Sequence, residues 1–531
     1  MPTNTSNAIS LAKSIQSKVL MPAINFLDIQ KLTFISIFLM LLVTMQLTDP
    51  DYFWHLKTGE YILTHGELPR GDIFSFTKLG QPWILHEWLF EVVLYALFKW
   101  QGVMAVKVFA ASLATTLMVI SNQLLKKITA YPTVAFCFLL ASFIPFCMGI
   151  SPRPQLVTYI FLISFIYVLL SYKYLNETRC LVALPLIMLI WVNAHGVYML
   201  GLMLLGIFVA CEWGNYWIAA TWDGRDKAKL IQLTKIALAT LLMSSINPWF
   251  VSHWLYPFQV MNSVSCESIS EWQSPNFHQW SYKYYLILVL IFFTSYIYKE
   301  RKPDLTELII PIALIVLGFV AVRNIPLATL VITPFIVKAI SSEQISLINR
   351  YWQRIGLSRL YKRWFCSGKQ LGSTETSLNW LLLVAIVIGT YIWYPSIQMN
   401  ADKENRIIPV KAVDFISNVA IPGRIFNTYH YGGYLIYRLY PSQHVFIDGR
   451  VDMYGDEFYN EYLKIMNVQN GWKNAFDKYK IDYVITDKNE PLSQLLQSHD
   501  EFRLVYEDQN NSVLVRNSPR YAKLIETYGS Q

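Results

Sequence analysis

The stretch LTDPDYFWHLKTGEYILTHGELPRGD, residues 47–72, directly follows an apolar run at 29–47. It sets Asp49, Asp51 and His55, with Trp54 among them, at the rim where that run ends. A helix crosses a bilayer core with roughly 20 residues, and about 17 are tolerated. The run is therefore read as a retained first span that follows an amphipathic start, with no clear leader cleavage site before it. On that reading the DPD stretch opens the first loop on the far side of the membrane.

Working outward from this rim, the same pattern repeats. Further apolar runs lie at 103–121, 131–149, 156–172, 180–193, 197–217, 231–247, 283–299, 306–322, 325–339 and 376–394, which predicts about eleven transmembrane helices. Composition agrees: 54% of the 531 residues are hydrophobic and the mean hydropathy is +0.33, above what a soluble core requires. The net charge of +8 is spread over short connections such as KK at 126–127, KERK at 299–302 and the basic stretch NRYWQRIGLSRLYKR at 349–363. That is how a multispanning chain orients itself, with basic connections inside, and it argues against a nucleic-acid partner. The six cysteines show no CxxC spacing, which speaks against a disulfide framework or a zinc site.

With the basic connections inside, a different set falls outside: the 48–102 loop, GISPRPQ at 149–155, WVNAHG at 191–196, the long segment 246–280, VRNIP at 322–326 and everything beyond 395. Within the first loop, PWILHEWLFEVVLYALFKW at 82–100 is apolar but is interrupted by Glu87, Glu91 and Lys99. A span there would invert all that follows, so an interfacial helix along the membrane is expected. Residues 1–395 form the transmembrane part. Residues 396–531 read as a soluble extracytoplasmic α/β domain, with helices near 408–419, 433–440, 457–467, 471–479 and 490–498 alternating with β-rich runs RIFNTY, HVFIDG, DYVITD, FRLVYED and SVLVRN.

The residues suited to chemistry gather on the outer side. Asp49 and Asp51, brought together by the turn at Pro50, could serve as a general base toward a hydroxyl acceptor or cap a helix end. Arginines hold phosphate through paired charge-assisted bonds; Arg153 sits between two prolines, and Arg323 follows an apolar run with Asn324 beside it. His55, His86, Glu87, Asn193, His195 and Glu271 border the same face. Asp49, Asp51 and Glu271 could ligate Mg²⁺ or Mn²⁺, and a metal-free site in which arginines supply the positive charge fits equally well. In the outer domain, YHYGGYLIYRLYP at 429–441 offers Tyr431 to a sugar ring and two glycines for close backbone approach. The DGR of VFIDGRVDMYGD puts Asp448 and Arg450 at an expected strand end, within reach of a ligand or as a local ion pair.

The acidic DPD after the first span and the interfacial segment behind it resemble the GT-C superfamily of membrane glycosyltransferases. The segments DPDYFWHLKTG, FSFTKLGQPWILHEWL, SPRPQ, NAHG, INPWF, SEWQSPNF and FIDGRVDMY look like a bacterial family of large multispanning proteins grouped with those enzymes, and they run through nearly the whole chain. The resemblance implies a lipid-phosphate-linked sugar donor, with Asp49 or Asp51 as acceptor base. Some GT-C members hold a divalent metal at the acidic motif and others do not. The outer domain lacks a WWD-type motif, which separates the chain from oligosaccharyltransferases. The expected function is inverting transfer of a sugar from a polyprenyl-phosphate donor to a glycan, lipid or protein acceptor of the cell envelope, in the bacterial inner membrane. Catalysis is assigned to Asp49, Asp51, His55 and His195. The alternatives are a lipid-linked glycan polymerase or ligase, or a lipid or glycan transporter.

Overall fold

The computed structural model describes residues 29–529, apart from 46, 48, 148–149, 219–226, 262, 264–268, 298–301 and nearly all of 341–407. The protein is a multispanning helical membrane protein with a C-terminal α/β region. Ten of the eleven apolar runs coincide with helices, from Ile29–Thr44 to Ile325–Ala339; the run at 376–394 lies outside the described residues. Among the described residues, five helices are long and apolar enough to cross a membrane. One core joins Leu117, Phe165, Phe208, Tyr285 and Phe335 from these five helices with Trp191 from the shorter helix Ala183–Ala194.

The interfacial segment is contiguous with a span. Trp88–Ile128 runs as one helical stretch of 41 residues, broken at Gln101 and Gly102, whose φ of +62° no side chain adopts easily. The break separates the amphipathic part, with Glu87 and Glu91 at its start, from the apolar part beyond 102. Before it, the first-loop helix Pro50–His65 starts on Asp49, whose side chain accepts a hydrogen bond from the Asp51 N–H, and has Pro50 in its first turn. It ends on Gly66, left-handed at φ +72°.

The C-terminal sheet has strand order β1-β2-β4-β3, with β1 Ile425–Asn427, β2 Tyr483–Asp487, β3 Phe502–Glu507 and β4 Asn511–Arg516. β1 and β2 are parallel and the other pairs antiparallel. Four of the five β-rich runs supply these strands, and helices stand at all five expected positions. The run HVFIDG forms no strand of this sheet, because its backbone bonds go to the first loop: Val445 N–H donates to Phe74 O at 3.0 Å and Val445 O accepts from Phe76 N–H at 3.1 Å. Hydrophobic packing follows the same seam, with Tyr52, Phe53, Trp54, Trp83 and Phe90 sharing one core with Tyr434, Leu435, Ile436 and Val513.

Candidate active site

Because Pro50 opens the helix with Asp49 as its cap, the two carboxylates of DPD turn toward one point, and Arg153 stands there. Its Nη2 lies 2.8 Å from Asp51 Oδ2, its Nη1 lies 3.3 Å from Glu271 Oε1, and its Nε pairs with Asp49 Oδ2. Ser151 Oγ donates to the same Asp49 oxygen at 2.8 Å, and Trp54 Nε1, one helical turn beyond Asp51, donates to Asp51 Oδ1 at 3.1 Å. The C-terminal region closes over this set. A Cβ on Gly449 would stand 1.9 Å from Asp51 Oδ1, and one on Gly433 would stand 2.2 Å from Pro50 O. Burial pushes the Asp51 carboxyl up to about 6, against the pull of Arg153 and together with the repulsion of Asp49. Burial lowers Arg153's affinity for its proton, but Asp51, Asp49 and Glu271 outweigh that effect and hold it more firmly charged than usual.

Behind the acids lies a buried network around Glu87. Its Oε1 is 3.3 Å from both His86 Nε2 and His195 Nε2, while its Oε2 is 3.4 Å from His55 Nδ1. His55 Nδ1 also meets Glu91 Oε1 at 2.9 Å. The hydrogen-bond partners assign protons here. His86 Nδ1 faces the Ile84 carbonyl at 3.2 Å, an acceptor only, and Nε2 faces a carboxylate, so His86 carries a proton on each nitrogen. Burial opposes that charge, but Glu87 overcomes it and raises His86 above its ordinary value. Burial likewise opposes a charged Glu87, yet the charge of His86 holds it well below the usual carboxylate range. Burial and the neighbouring Glu87 push Glu91 well above that range, so Glu91 is protonated and donates to a neutral His55. Burial lowers His55 to about 4 and His195 to about 3. Thr158 Oγ1 lies 2.6 Å from His195 Nδ1, and Trp191 Nε1 donates to the same hydroxyl at 2.9 Å.

The expected residues therefore separate into groups. Asp49, Asp51, Arg153 and Glu271 form the acid set; His55, His86, Glu87 and His195 form the network behind it. Asn193 accepts from Trp88 Nε1 at 3.1 Å and donates to the Leu189 and Ile246 carbonyls. Arg323 stacks over Trp272 at 4.4 Å, beside the short helical turn that holds Glu271, and its charge reaches His195. No carboxylate pairs with it among the described residues. Asn324 is taken up by the Leu317 carbonyl.

Of the two readings open for DGR, the local ion pair is the one observed: Asp448 and Arg450 are both buried, Arg450 bonding Asp448 at 2.8 and 2.6 Å and Asp72 at 2.8 Å, with Trp83 and Phe74 over the guanidinium. Tyr431 is buried under the sheet, and Tyr429 from the same motif is the one that feels the Asp51 charge. Trp54, Ser151, Glu91, Thr158 and Gly449 also belong to the site. Trp54 and Glu91 were signalled by helical spacing, at i+3 from Asp51 and i+4 from Glu87, whereas Tyr429 and Gly449 come from far along the chain.

Two donor sets bear on a metal. Asp49, Asp51 and Glu271 do not fit a divalent ion, because the guanidinium nitrogens already occupy the point on which these carboxylates converge. His55, Glu87 and Glu91 place one ligand atom each within 4.8 Å of one another, and could hold an ion once Glu91 gives up its proton.

No protein-family model and no curated protein matches the sequence. Solved structures do. The archaeal oligosaccharyltransferase AglB from Archaeoglobus fulgidus, in complex with an inhibitory peptide and a dolichol-phosphate, superposes with a TM-score of 0.50 at 10% identity, over 92% of this chain and 74% of that one. ArnT from Cupriavidus metallidurans in the apo state gives 0.48 at 13% identity over 100% of both chains. The chain shares the fold of the AglB structure, a GT-C-like multispanning fold.

Proposed function

We propose that the protein is an inverting glycosyltransferase of the bacterial inner membrane, moving a sugar from a polyprenyl-phosphate-linked donor to an extracytoplasmic acceptor in the cell envelope. The observation that carries this reading is Asp51: a carboxylate at the rim of the first apolar helix, partly open, with its pKa raised to about 6. A base poised near the working pH is the efficient choice for accepting a hydroxyl proton as the bond forms. The AglB structure that shares this fold holds a dolichol-phosphate, which supports a lipid-phosphate donor here.

In the reaction proposed, Asp51 takes the acceptor's hydroxyl proton, the oxygen attacks the anomeric carbon, and the bond from that carbon to the phosphate oxygen breaks on the opposite face. The polyprenyl phosphate leaves with the bonding electrons. One displacement inverts the configuration and needs no covalent intermediate. Arg323, a guanidinium without a carboxylate partner among the described residues, is suited to the phosphate. Arg153 was expected there as well, but its nitrogens are committed to carboxylates. A divalent ion at His55, Glu87 and Glu91 would fix the first-loop helix against the interfacial helix.

The test is transfer of label from a panel of polyprenyl-phosphate sugars to cell-envelope acceptors by purified protein, beside Asp51→Asn and with or without EDTA. Label transferred by the wild type and lost in the folded variant supports the reading. Donor binding without transfer across the panel would sink it in favour of transport or assembly.

A further inference from the structure

Three carboxylates directed at one point normally invite a divalent cation. Here they meet a side chain. Arg153 presents Nε, Nη1 and Nη2 to Asp49, Glu271 and Asp51 in turn, using the fixed planar fork that distinguishes arginine from lysine. The segment that carries it is held locally: Arg153 N–H donates to Ser151 O at 2.7 Å, Leu156 N–H donates to Arg153 O at 3.1 Å, Pro152 and Pro154 restrict the backbone on both sides, and Ser151 Oγ donates to Asp49. Only 19% of the arginine side chain is exposed. Carboxylate oxygens bind a divalent ion at roughly 2.0–2.6 Å, so an ion and this guanidinium cannot share the point of convergence.

We propose that Arg153 is a built-in counter-cation: it occupies the place between Asp49, Asp51 and Glu271 that a metal ion would take. This does not rest on Asp51 being the base of the transfer. A lysine in its place keeps one charge but cannot address three acids at once.

The test uses the purified full chain and Mn²⁺, followed by electron paramagnetic resonance and by calorimetry, in the wild type, the Asp49→Asn, Asp51→Asn double variant, Arg153→Ala, Arg153→Gln and the combination of Arg153→Ala with Asp49→Asn and Asp51→Asn. The wild type is expected to show no Mn²⁺ signal that depends on Asp49 or Asp51. Arg153→Ala is expected to gain one site, lost again in the combined variant. Ions held by His55, Glu87 and Glu91 are separated by this comparison, since they survive the loss of the first-loop aspartates. A wild-type Mn²⁺ site abolished by Asp49→Asn and Asp51→Asn overturns the proposal, as does a folded Arg153→Ala or Arg153→Gln protein that gains no site. A gained site with no transferase activity in any protein leaves the counter-cation standing and removes the glycosyltransferase reading.

Discussion

Gly449→Ala is the sharpest probe of how the C-terminal region bears on the first loop. The added Cβ would sit 1.9 Å from Asp51 Oδ1 and 3.1 Å from Trp54 Nε1 and from Asp51 Cγ. Since a Cβ needs at least 3.0 Å, either the 449 backbone or the Asp51 carboxylate must move by about 1.1 Å. Overpacking of this kind costs about 1–3 kcal/mol of stability, and a displacement of about 1 Å at a reacting group lowers a rate by about 100-fold. The assay is label transfer together with the unfolding temperature in detergent. Gly206→Ala serves as the control, because a Cβ there meets nothing within 4 Å and helical alanine is the more stable residue. Gly433→Ala, aimed at Pro50 O, is expected to behave like Gly449→Ala. A Gly449→Ala protein that keeps more than half of wild-type kcat/KM and its unfolding temperature would refute the view that this glycine is dictated by the DPD carboxylate.

Other outcomes follow from the same geometry. Activity is expected to fall about tenfold per pH unit below about 6 as Asp51 takes its proton, whereas stability moves the opposite way: with the folded pKa above the ordinary 3.8, the native state gains stability as pH falls from about 6 toward 4, and a pH–rate profile with parallel melting curves reads both. Glu91→Gln, replacing a protonated carboxyl by a neutral amide, changes stability by less than about 1 kcal/mol, while Glu87→Gln strips His86 of its counter-charge and costs about 3–5 kcal/mol; equal losses in thermal unfolding would contradict the proton assignment. Arg450→Met leaves Asp448 and Asp72 buried without their cation and is expected to cost about 3–5 kcal/mol, seen as a large drop in unfolding temperature.

Much of the architecture was legible because a bilayer imposes one rule on the whole chain: backbone polar groups must be satisfied within each segment, so an apolar run of sufficient length becomes a helix. Thus Ile29–Thr44, Gln155–Leu175 and Leu305–Val320 fall where hydropathy put them. The strands Tyr483–Asp487 and Asn511–Arg516 followed from local β-rich composition, and the DPD rim marked the place of the carboxylates. HVFIDG had the same composition as a strand and became none, because its partner is the first loop, some 370 residues earlier in the chain. No local rule could place Arg153 among three carboxylates rather than on a phosphate, or bury Arg450 beneath Trp83 and Phe74. Charge type and spacing were written in the sequence, but which charges meet, and which glycine must stand aside for Asp51, depended on long-range packing of the first loop against the C-terminal region.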